Sequence, residues 1–134
     1  MTSMTALLGF TAWTLLMVIL VLAYRGTRIL GGAPINNWPR GKVDTGDASF
    51  AKRVSDAHAN CLENLPIFAV LVLAAAALGK DAAVAPYAPI VLYARFGQST
   101  AHLIGTSQPL VLARATFWGV QVILFVLMLK GLLF

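Results

Sequence analysis

Four long apolar stretches, separated by clusters of turn-forming residues, organise this chain. The first, roughly residues 6–24, holds no charged residue. The second, roughly 50–78, is polar at its start and wholly apolar from Ile67. The third covers roughly 82–105 and the fourth roughly 110–133. About 20 mostly apolar residues cross the hydrocarbon core of a bilayer as a helix, and each stretch reaches that length. None alternates with the period of two that a membrane β-barrel requires. The pattern therefore predicts an all-α integral membrane protein, an up-down four-helix bundle, with helices over roughly 5–26, 50–79, 82–106 and 109–133. A cytoplasmic loop is expected over roughly 27–49, and residues 1–134 form one four-span domain.

The connections support that order. The first carries Gly31, Gly32, Pro34, Asn36, Asn37, Pro39, Gly41 and Gly46, a density of breakers that excludes regular structure. Gly79, Lys80 and Asp81 make a tight turn, and so do the residues from Gly105 to Pro109. Short turns between helices make antiparallel neighbours. Pro66, inside the second helix, cannot donate to the Leu62 carbonyl and crowds it, so a bend is expected there. The first stretch is expected to be a retained helix, because Met1–Thr5 brings no positive charge and no clear cleavage site follows.

Composition then fixes the solvent. Charged residues are 11% of the chain, against about 25% in soluble domains, and mean hydropathy is +0.80. So few charges cannot cover a water-facing surface. The net charge of +5 does not point to nucleic acid, because the basic residues flank the spans. Arg25, Arg28, Arg40, Lys42, Lys52 and Arg53 gather at the first loop, with Arg114 on the same side; the other side has Lys80 and Lys130. Basic loops stay in the cytoplasm, which sets both termini outside. A bacterial inner membrane fits the short uncharged amino terminus. The single cysteine, Cys61, forms no internal disulfide and reads as a packing residue. Trp13, Trp38 and Trp118 read as interfacial anchors or packing residues. No metal site is expected.

The polar residues inside the spans carry the candidate chemistry. Arg53, Asp56, Asn60 and Glu63 fall on one narrow stripe of the second helix, with Asn64 beside it. Arg95, Gln98, Ser99 and His102 share one face of the third; Arg114 and Gln121 share one face of the fourth. Lipid cannot satisfy such groups, so the faces should meet each other or a wet cavity near the cytoplasmic side. Acidic and basic groups together there suit a zwitterionic or anionic ligand. The plainer alternative is that these side chains only join helices, Glu63 with Arg95 for example.

Three segments carry a resemblance. Arg53–Phe68 reads RVSDAHANCLENLPIF, Tyr93–His102 reads YARFGQSTAH, and Leu112–Gly119 reads LARATFWG. With the four-span layout, they resemble the membrane-associated proteins in eicosanoid and glutathione metabolism (MAPEG), in a bacterial-type form. The resemblance implies a homotrimer, with glutathione bound between subunits and lipophilic substrate arriving from the membrane lipids. It implies a glutathione transferase or peroxidase acting on lipophilic electrophiles or lipid hydroperoxides. The alternative is a non-enzymatic member holding a lipid or small anion. It also implies that Asn60, Glu63, Arg53, Arg95 and His102 hold glutathione, joined by Arg25 or Arg28 from an adjacent subunit, and that Arg114 is catalytic. Asp56 stands where glutathione-binding members have Arg, and an acid there would repel a glutathione carboxylate unless it pairs with Arg53; His102 stands where they have Tyr.

Overall fold

In a computed structural model, residues 1–36 and 49–134 are described. The predicted loop between them, including Asn37, Trp38, Pro39, Arg40, Lys42, Asp44 and Asp47, lies outside the described residues. Those described are all helical: α1 (Ser3–Leu30), α2 (Ser49–Leu78), a 3₁₀ turn (Asp81–Ala83), α3 (Ala88–Ile104) and α4 (Gln108–Leu133). Three of the four, α1, α2 from Phe50 on, and α4, are long and apolar enough to cross a membrane. With α3 beside them they form the expected all-α four-helix architecture.

Helix ends follow local chemistry. Thr2 caps α1, its hydroxyl accepting from the Thr5 amide at 3.1 Å. The helix runs beyond residue 26, its expected end, to Leu30. There the Ala33 amide bonds the Arg28 carbonyl and the Gly32 amide bonds that of Ile29. Gly32 adopts φ +94°, a conformation glycine takes without strain. The same closure ends α2, with Lys80 bonded back to the Ala75 carbonyl and Gly79 at φ +64°. Pro66 stands inside α2, which continues through it.

The third span differs from the continuous helix expected over 82–106. Pro86 and Pro89 lack amide donors, so residues 81–87 fold as a 3₁₀ turn and further turns. The α-helix itself has 17 residues, starting at Ala88 with Pro89 in its first turn, where a missing donor costs nothing.

α1 packs on α2 and α3, while α4 packs on α3 and α2. The α2–α3 pair therefore stands between α1 and α4. The core is a chain of rings, Phe10 on Phe68 (5.7 Å) and Phe68 on Phe125 (6.1 Å), joining α1, α2 and α4. Trp13 packs on Phe96 of α3 at 4.7 Å. Lys80 donates to the Leu132 carbonyl at 2.8 Å, tying the α2 turn to the end of α4.

Candidate functional site

At one end of the bundle the first half of α2, the end of α3 and the start of α4 line an open pocket of about 450 Å³. Asn60 and Glu63 come from α2; Gln98 and His102 from α3; Val111, Arg114, Ala115 and Trp118 from α4. Spacings of three, four and seven put each group on one side of its helix. A volume of this size lies within the usual range for small-molecule sites. Glu63 and Arg114 bring opposite charges to it, and neither has an ion-pair or hydrogen-bond partner among the described residues.

Behind the pocket, three amides cross the helices. Gln121 Nε2 donates to Gln98 Oε1 at 2.8 Å and to the Phe117 carbonyl at 3.0 Å; Asn64 Nδ2 donates to Gln121 Oε1 at 3.3 Å. Here the plainer role holds: buried amides join α2, α4 and α3, and fix the Gln98 side chain that lines the pocket. On the α2 side, Asn60 Nδ2 donates to the Asp56 carbonyl at 3.1 Å and lies 3.4 Å from His102 Nδ1.

Four of the residues named from the sequence thus share the pocket: Asn60, Glu63, His102 and Arg114. Arg95 does not line it. It sits seven residues, about 10 Å, deeper along α3. There α1 closes over it, with the guanidinium 5.0 Å from the centre of the Phe10 ring. Arg95 is fully buried and forms no ion pair with Glu63, which is exposed. Arg53 is not part of the lining either. Its Nε donates to the Leu103 carbonyl at 2.9 Å, and its guanidinium lies over Phe50. Asp56 pairs with Lys52 at 2.8 Å rather than with Arg53, because Arg53 is turned toward the last turn of α3. Arg25 and Arg28 stand near the end of α1 and do not line the pocket of their own chain.

Four lining residues, Gln98, Val111, Ala115 and Trp118, are not among the site residues expected from the sequence. Gln98 was on the polar face of α3 but was not singled out. Trp118 was read as an anchor, although its place four residues after Arg114 puts both on one face of α4. Cys61 is fully buried, its Sγ 3.7 Å from Ser99 Oγ, as a packing residue would be.

Apolar helices around a charged, amide-lined pocket define a membrane-embedded helical protein. The chain matches the sequence model of the MAPEG family over residues 3–134, nearly its whole length, and belongs to that family. No curated protein and no solved structure matches it.

Proposed function

We propose that the protein is a membrane glutathione-dependent transferase or peroxidase acting on lipophilic electrophiles or lipid hydroperoxides. The observation that carries this reading is that Glu63 and Arg114, each unpartnered among the described residues, line one pocket. Glutathione presents an amino group, two carboxylates and a thiol. A carboxylate such as Glu63 suits the amino group. A guanidinium such as Arg114 suits a carboxylate, and beside the thiol it favours the thiolate by opposite charge. Val111, Ala115 and Trp118 form the apolar wall on α4, and Val111 and Trp118 are each partly open to the surroundings. A lipophilic substrate would meet the thiolate from that side.

The chain's own pocket offers one guanidinium for two carboxylates. In the proposed homotrimer, Arg25 or Arg28 of an adjacent subunit supplies the second. The same shortfall favours one rival reading, a non-enzymatic protein that holds a lipid or a small anion with a single charge. The proposed setting is a bacterial inner membrane, with the basic end of the bundle in the cytoplasm.

Titration of the detergent-solubilised protein with glutathione, followed by calorimetry and thiolate absorbance, separates the two readings. The enzyme reading expects saturable binding with thiolate formation, and loss of the thiolate signal in Arg114→Ala. Absence of binding at millimolar glutathione would sink it and leave the anion or lipid site.

A further inference from the structure

We propose that Asn60 is a positioning residue: it holds His102 as the tautomer protonated on Nε2, and so makes it a hydrogen-bond donor to the bound ligand. This inference deepens the glutathione reading and rests on it only for the identity of that ligand. It gives Asn60 a different task from the direct glutathione contact implied by resemblance.

A backbone carbonyl only accepts, so the Asn60 side-chain atom 3.1 Å from the Asp56 carbonyl is the amide nitrogen. That contact settles the orientation of the amide, which otherwise has two look-alike ends. The same nitrogen faces His102 Nδ1 at 3.4 Å with its second hydrogen. A proton on Nδ1 would set two donors against each other, so Nδ1 carries the lone pair. A neutral imidazole has one N–H, which is then on Nε2.

Nε2 lies on the far side of the ring from Asn60. No described residue accepts a hydrogen bond from it, while His102 lines the pocket. His102 therefore offers a fixed donor to the pocket that Arg114 and Glu63 also line. A donor of this kind suits a carboxylate, a peptide carbonyl or a thiolate of the ligand. It would not suit a second cation.

The test is spectroscopic. Full-length protein labelled with ¹⁵N-histidine is held in detergent at pH about 8, above the ordinary imidazole pKa of about 6.5. Long-range ¹H–¹⁵N correlation spectra then report which ring nitrogen carries the proton, and loss of signals in His58→Gln assigns the other histidine. The expected result is one tautomer for His102, with Nδ1 bare and Nε2 protonated. Asn60→Asp replaces the donor by an acceptor and should move the proton to Nδ1, a change that a merely structural asparagine would not produce. In calorimetry the same variant should bind glutathione roughly tenfold more weakly, the worth of one hydrogen bond. Added glutathione should shift the Nε2 resonance of the unsubstituted protein.

Averaged tautomers, or a proton on Nδ1, in the unsubstituted protein would overturn the inference whether or not glutathione binds. Glutathione that binds by calorimetry yet leaves Nε2 unmoved would overturn the donor role. No binding at all, with the Nε2–H tautomer intact, counts against the glutathione reading while supporting the lock.

Discussion

Arg95 is the largest fully buried side chain among the described residues, and none of its three guanidinium nitrogens has a hydrogen-bond partner there. A ring face at 5.0 Å offsets part of the cost of burying a cation, but it cannot replace a carboxylate. Cys61 of α2, also fully buried, faces Ser99, one turn beyond Arg95 on α3. Cys61→Asp would place a carboxylate beside the guanidinium. The expected outcome is a gain of about 2 kcal/mol, the worth of a charge-assisted hydrogen bond, read as a higher thermal midpoint in detergent. A lower midpoint would mean that Arg95 is already satisfied. Periodicity had placed Arg95 and His102 on one face of α3, and they do share it. It could not show that α1 seals the face at Arg95 and leaves it open two turns on, because periodicity gives a direction around the helix and not what covers each turn.

The contact between α3 and α4 depends on one missing side chain. A Cβ on Gly97 would stand 2.6 Å from Phe117 Cζ and 2.9 Å from its neighbouring ring carbons. Gly97→Ala is expected to cost about 1–3 kcal/mol by overpacking, measured by thermal or chemical unfolding in detergent. Adding Phe117→Leu should recover part of that loss. Full tolerance of the alanine alone would show that the ring moves aside freely. The amide chain from Asn64 through Gln121 to Gln98 makes a second prediction for the same helices. A double-mutant cycle with Gln98→Leu and Gln121→Leu should show coupling of about 0.6 kcal/mol, typical of hydrogen bonds inside membrane bundles. Coupling near zero would reduce the chain to incidental contacts. The start of α3 differed from the continuous helix expected over 82–106, although Pro86 and Pro89 mark the break. Gly97 carries no such signal: alone in a helical pattern, it looks like any tolerated glycine.

Among the described residues, large apolar side chains are exposed on all four helices. α4 has no polar face beyond Arg114 and Gln121, and side chains such as Leu112, Ile123, Val126 and Leu133 are exposed. Such a surface belongs against lipid or against another copy, and in water it would drive aggregation. The proposed orientation in the bilayer rests on charge, and single cysteines introduced into Cys61→Ser test it. In sealed inverted and right-side-out vesicles, a membrane-impermeant maleimide should reach Asn36→Cys from the cytoplasmic side and Thr2→Cys from the outside. The opposite labelling would invert the bundle. The count of helices and their order were plain in the sequence, because a bilayer demands long uninterrupted apolar runs. The packing order, with α2 and α3 between α1 and α4, was not, since short turns specify antiparallel neighbours and not which pairs remain apart.

By itself the sequence determined the solvent, the helices, their breakers and the polar face of each, because composition and periodicity act within a turn or two of the chain. Only the tertiary structure decided which polar groups share a cavity. It brought Asn60, Glu63, His102 and Arg114 together, closed Arg95 beneath Phe10, gave Asp56 to Lys52 and Arg53 to Leu103. The physical reason is reach: these pairings depend on distances and crossings between helices, which residues dozens of positions apart set jointly.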